Sequence, residues 1–94
     1  MATIEVPVNK TVYGNGTGVG GGQVVLYNDD HNSFDYVIQC LGVVFKHPAG
    51  LASKIAMEVH TRGRAVAEVE EPEKAREHAA QLVSMGLRAE AEGF

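Results

Sequence analysis

The residues of this chain best suited to chemistry stand in one short run, Asn28-Asp29-Asp30-His31-Asn32, with a further histidine, His60, 32 positions after Asn28. Amide, carboxylate and imidazole groups at that density suit either a metal or a cation held by hydrogen bonds. A calcium loop needs oxygen ligands at alternate positions, glycine at its sixth position and glutamate at its twelfth. Here Ser33 and Gln39 occupy the sixth and twelfth positions. A transition-metal site drawn from Asp30, His31 and His60 has no ligand-spacing signature behind it. Taken alone, the run reads as an Asx-rich turn capping a helix, and His60 as a partner for the negative C-terminal end of another. Covalent catalysis lacks its parts: no serine stands at a strand–turn–helix elbow. Cys40 falls inside a helical pattern with no base beside it, where a small buried hydrophobe is expected.

Glycines supply a second pattern. Gly14–Gly22 reads GNGTGVGGG, and within it Gly16, Gly18 and Gly21 have the spacing of a dinucleotide fingerprint. That fingerprint works only after a strand and at the mouth of a helix, whereas this one precedes the first strand. Six glycines in nine residues read instead as a flexible linker, with residues 1–22 placed as an arm; Ile4, Val6, Val8 and Val12 leave an edge strand over Met1–Tyr13 as the alternative. The sequon Asn15-Gly16-Thr17 reads as a chance match.

The elements that must position the polar run follow from hydrophobic periodicity. Gln23–Tyr27 is β-branched and predicts a strand ending in a turn. Ser33 suits an N-cap, with Asp35 in the first turn, and Phe34, Val37, Ile38, Leu41, Val44 and Phe45 recur at helical spacing. Gly42 inside that pattern suggests close approach by another element. His47-Pro48 breaks the helix; Leu51, Ile55 and Val59 then define a second one, stopping at Gly63. Arg64–Glu70 alternates and predicts a half-buried strand. Pro72 opens a third helix carrying Ala75, Ala79, Leu82 and Val83, ended by Gly86, and Leu87–Ala91 closes as a strand. The expected fold is α+β: a small three-stranded antiparallel sheet with three helices on one face, over residues 23–94.

Composition narrows the function. Ninety-four residues hold one core. Eight Lys+Arg against twelve Asp+Glu, a net charge of −4, argue against nonspecific nucleic-acid binding. One cysteine excludes an internal disulfide. No apolar run approaches ~18 residues, and Met1–Lys10 lacks the look of a secretory signal, so a soluble cytoplasmic chain without membrane contact is expected.

The run VVLYNDDHNSFDYVIQCL, followed by MEVHTRGRA, resembles the ClpS family, adaptors of the Clp AAA+ protease that recognise N-degrons. The resemblance extends from about Gln23 to the C-terminus. It implies a non-enzymatic adaptor, without cofactor or metal, monomeric by default. It also implies that Asn28, Asp30 and His60 bind the free α-amino group of a substrate, with Asp29 supporting the turn. Three acceptors suit an ammonium with three N–H donors; acetylating the amine removes its charge, and protonating His60 removes an acceptor. The first side chain of the ligand (Phe, Leu, Tyr or Trp) would enter a pocket walled by Leu26, Tyr27, Asn32, Phe34, Val37, Ala56, Val59 and Leu87.

The chain departs from the pattern of many bacterial members, which carry methionine in place of Phe34 and of Ala56. Met57, one position on, should point ~100° round the helix from Ala56. The short segment between His60 and Leu87 is similar to cyanobacterial and plastid-type forms, whose unfoldase is ClpC-type rather than ClpA. Docking on the unfoldase N-terminal domain would use the second strand and third helix, where Glu73 matches a contact position and His78 replaces a lysine; the arm would take part in delivery. Two rival readings are a same-fold Clp-docking module that does not read N-termini, and a small metal-dependent enzyme built on Asp30, His31 and His60.

Overall fold

Val24, Val25 and Leu26, all at most 1% exposed, form the middle of the strand around which the chain is organised. The computed structural model describes residues 20–93; of the expected arm, residues 1–19 lie outside that range. The element order is β1 (Gly22–Tyr27), α1 (Phe34–Phe45), α2 (Ala49–Arg62), β2 (Arg64–Glu70), α3 (Pro72–Ser84) and β3 (Arg88–Gly93). β1 is central in an antiparallel sheet of order β2-β1-β3. This is the expected α+β architecture. Gly22, assigned from the sequence to the arm, already pairs with Glu70 and Gly93. Glycine is required there: a Cβ would lie 2.7 Å from Pro72 Cα and 2.9 Å from Pro72 N, where β1 passes the start of α3.

Each helix ends where its sequence provides a stop. The Ser33 hydroxyl accepts the Tyr36 N–H at 3.1 Å to cap α1, and Lys46, left-handed at φ 62°, closes it by donating to Gly42 O at 3.0 Å. Pro48 precedes α2, and Gly63 at φ 91° terminates it with its N–H on Val59 O at 2.9 Å. Pro72 opens α3, and beyond its end Gly86 at φ 94° lets Leu87 N–H return to Leu82 O at 3.1 Å. Left-handed positions favour glycine because it has no Cβ to clash. Gly42 shows no such need, since a Cβ there would make only ordinary contact with His47 O at 3.7 Å.

Val24 and Leu26 of β1, Ala65 and Ala67 of β2, and Ala89 and Ala91 of β3 meet Leu41, Ile55 and Leu82 of the helices in one core. The simple alternation expected of β2 is not observed: Ala65, Val66, Ala67 and Glu68 are all buried. The cause is a bulge. Val25 pairs with Val66 and Val24 with Glu68, leaving Ala67 without a partner; an extra residue of this kind breaks the two-residue period and re-aims the side chains beyond it.

Candidate functional site

The loop after β1 is held by one carboxylate. Asp29 Oδ1 accepts the His31 N–H at 2.8 Å and the Asn32 N–H at 3.1 Å, and the Asn32 amide nitrogen lies 3.0 Å from both Asp29 oxygens. Partial burial alone would raise the Asp29 carboxyl, but the bonds from His31 and Asn32 outweigh it and hold the group below its ordinary value. The same Asn32 nitrogen donates to Gly86 O at 2.9 Å, and Tyr36 OH donates to Met85 O at 2.6 Å. The loop and the first turn of α1 are thereby fastened to the α3–β3 turn.

The other side of the site comes from the end of α2. Antiparallel pairing sets Tyr27 opposite Arg64, so the chain leaving β1 runs beside the chain entering β2. Asn28 N–H donates to Gly63 O at 2.9 Å, three residues after His60. Val59 faces the core at 4% exposure while its neighbour His60 is exposed, as helical geometry dictates. Between loop and helix lies a cleft of about 510 Å³ lined by Asn28, Asp29, Asp30, Asn32, Phe34, Val37, Ala56, Met57, Val59 and His60.

The two ends of this cleft differ in chemistry. At the polar end, no hydrogen bond among the described residues engages the side chains of Asn28, Asp30 or His60. Amide oxygen, carboxylate and imidazole there can accept hydrogen bonds from a cation. At the other end Phe34, Val37, Ala56, Met57 and Val59 form an apolar wall. The lining contains no hydroxyl or thiol nucleophile. Cys40, at 1% exposure, is sealed in the core, where burial pushes its thiol up against the opposing effect of Tyr36. Among the described residues no three His, Cys, Asp or Glu side chains are grouped to hold a metal ion.

Three residues expected in the pocket wall lie elsewhere. Leu26 and Leu87, at 1% and 4% exposure, belong to the core beneath. Tyr27 points to the sheet face between Arg64 and Arg88, whose guanidinium carbons lie 5.7 Å and 6.0 Å from its ring centroid. Met57, expected to turn away, lines the cleft and is 50% exposed. A half-exposed methionine on a rim has no sequence signal beyond its place beside the apolar stripe. Glu73 is exposed in the first turn of α3. His78 is half-buried, with Nδ1 2.7 Å from Glu70 Oε2 and its ring edge-on to Phe45 at 5.0 Å. No described helix is long and apolar enough to cross a membrane.

Comparison with known proteins is consistent with this geometry. A curated relative, the ATP-dependent Clp protease adapter protein ClpS of Syntrophus aciditrophicus (strain SB), is 39% identical over 44 residues, 47% of this chain and 41% of that protein. The match thus spans less than half of the relative's length. The structure of Agrobacterium tumefaciens ClpS2 bound to L-phenylalaninamide superposes with a TM-score of 0.76 at 26% identity, covering 80% of this chain and 98% of that one. The family model for the ATP-dependent Clp protease adaptor protein ClpS matches residues 22–92, which include all of the fold but the last residue of β3 and every residue lining the cleft. The chain belongs to the ClpS family.

Proposed function

We propose that this adaptor captures proteins by a free N-terminal α-amino group followed by a large hydrophobic first side chain, and delivers them to a Clp unfoldase. The observation that carries this reading is the pairing, in one cleft, of three uncommitted acceptors with an apolar wall. Asn28 Oδ1, the Asp30 carboxylate and His60 receive the three N–H donors of the ammonium. Bonds of this charge-assisted kind contribute about 1.5–3 kcal/mol each. Asp29 acts on the loop instead, since its oxygens are committed to His31 and Asn32. Phe34, Val37, Ala56, Met57 and Val59, with Asn32, receive the side chain; burying a Phe or Leu contributes roughly 1.5–3 kcal/mol. A polar first residue finds no partner on Phe34, Val37, Ala56, Met57 and Val59.

L-phenylalaninamide, the ligand of the Agrobacterium protein, has the required features: a free α-amine, a benzyl side chain, and an amide where a peptide would continue. The resemblance assigns unfoldase docking to Glu73 and His78 of α3, neither of which lines the cleft, which supports binding of substrate and unfoldase together. The unfoldase is of ClpC type or ClpA, the adaptor is a monomer, and the setting is cytoplasmic. The adaptor acts by binding and carries out no reaction of its own.

Fluorescence anisotropy with labelled peptides differing only at the first residue tests the reading. Free Phe or Leu peptides should bind at micromolar concentration or tighter, and Arg and acetyl-Phe peptides should not. Equal binding of free and acetylated ends would overturn it and leave a Clp-docking module that does not read N-termini.

A further inference from the structure

Two histidines meet Phe45, each beside a glutamate of β2, where β2 meets the α1–α2 link and α3. The His47 ring stacks on Phe45 at 5.2 Å and the His78 ring meets it edge-on at 5.0 Å. The side chains of His47, Glu68, Glu70 and His78 are 6%, 10%, 15% and 24% exposed. Glu70 has a partner, His78 Nδ1 at 2.7 Å. Glu68 does not. The bulge in β2 re-aims it toward His47, but His47 Nε2 lies 2.9 Å from the Ala67 carbonyl oxygen and 4.0 Å from Glu68 Oε1. A carbonyl oxygen only accepts, so Nε2 carries its hydrogen and directs it at Ala67. Glu68 Oε1 is buried without a hydrogen-bond partner. An ionised carboxylate there keeps one oxygen out of water with no donor on it, which favours the protonated acid.

We propose that the His47–Glu68–Glu70–His78 cluster is a proton-linked stability element, in which the folded domain favours Glu68 as a neutral carboxylic acid and releases that proton on unfolding. Among the described residues, the elements packed against β2 offer Glu68 no free cation. β1 sets uncharged Val24 opposite it; of the link's two titratable residues, Lys46 is exposed and His47 directs its Nε2–H at Ala67 O. α3 supplies His78, already engaged by Glu70. α2 turns Ala52, Ile55, Ala56 and Val59 inward; its Lys54 and Arg62 are exposed and its Glu58 is half-buried. Burial, reinforced by the Glu70 charge, pushes the Glu68 carboxyl from 4.5 up to about 7. Because the folded value is the higher one, the stabilisation is complete below the unfolded value and is lost as pH rises through the folded one. From this group alone the unfolding constant should grow about 25-fold between pH ~5.5 and ~8.

The test uses the full chain. Carbon-detected NMR of the wild-type side-chain carboxyls follows the titration of Glu68, and urea unfolding is measured across the same pH range for wild type and Glu68→Gln. Glu68 should titrate near neutrality, and Glu68→Gln should lose the corresponding pH dependence and exceed wild-type stability at pH ~8. A Glu68 midpoint in the ordinary carboxylate range, or the same pH slope in both proteins, would overturn the proposal. If Glu68→Gln does not fold, the wild-type titration decides. Peptide binding by a folded Glu68→Gln should stay within twofold of wild type at pH ~6, which keeps this proposal separable from the reading of the cleft.

Discussion

Two adjacent aspartates in one loop should fail in opposite ways when each loses its charge. Asp30 is exposed and no hydrogen bond among the described residues engages it, so Asp30→Asn should leave stability within about 0.5 kcal/mol of wild type. It replaces a charge-assisted bond to the ligand ammonium by a neutral one, a loss of about 1–2 kcal/mol, or roughly 5- to 30-fold in affinity. Asp29→Asn keeps the shape but turns one oxygen into an NH2 facing the Asn32 amide nitrogen, which now lies 3.0 Å from both oxygens. Asn32 has no escape by flipping, because that nitrogen also donates to Gly86 O at 2.9 Å. The clash of donors should destabilise the domain by about 1–3 kcal/mol. The acid limb separates them further. The bonds from His31 and Asn32 hold Asp29 below 3.8, so its stabilisation is present above that value and disappears as pH falls through the folded one. Asp29→Asn should lose that limb and Asp30→Asn should keep it. Urea unfolding from pH ~2.5 to ~7 and anisotropy with a free Phe peptide measure both effects. Wild-type affinity in Asp30→Asn, or Asp29→Asn as stable as Asp30→Asn, would refute the division of labour between holding the loop and binding the amine.

Phe34, 39% exposed in the first turn of α1, is a wall residue more than a core residue. Phe34→Ala should weaken a Phe peptide by about 1–2 kcal/mol in calorimetry while moving the urea midpoint little. Gly22→Ala should destabilise by about 1–3 kcal/mol, since its Cβ would fall 2.7 Å from backbone Pro72 Cα; Gly50→Ala, with nothing within 4 Å, should be neutral or stabilising. Paired urea curves compare the two. Glu73→Lys reverses an exposed charge on α3, so pull-down by the unfoldase N-terminal domain should fall while peptide affinity stays within twofold; a loss of peptide affinity would mean that docking and capture share a surface.

The local parts of this fold are legible because local chemistry decides them. The Ser33 hydroxyl, Gly63, Pro72 and Gly86 each occupy the position at which their own geometry is needed, and the apolar stripes of α1 and α2 face the core that they anticipate. The illegible parts depend on pairing. A bulge at Ala67 has no signature in RAVAEVE, so the alternation predicts a half-exposed β2 and Glu68 passes as a surface acid. The same limit divides the site. Asn28, Asp29, Asp30 and Asn32 announce themselves by density, but that His60 joins them depends on Asn28 N–H reaching Gly63 O, a bond between strand end and helix end that no spacing rule yields. The family resemblance puts Leu26, Tyr27 and Leu87 in the pocket wall. Strand geometry sends successive side chains to opposite faces, which puts Leu26 in the core and Tyr27 on the far face, and leaves the wall to helices. Met57 reaches the cleft for the converse reason: the cleft lies over the edge of the α2 stripe, so a residue about 100° from Ala56 lines its rim while remaining half exposed. The cleft is therefore built from one strand-end loop and two helix faces, and its two chemistries have separate supports. The polar end depends on Asp29 and the α3–β3 turn, and the apolar end on α1 and α2. Substitutions that loosen the loop should then reduce affinity for every first residue alike, whereas substitutions in the wall should reorder them.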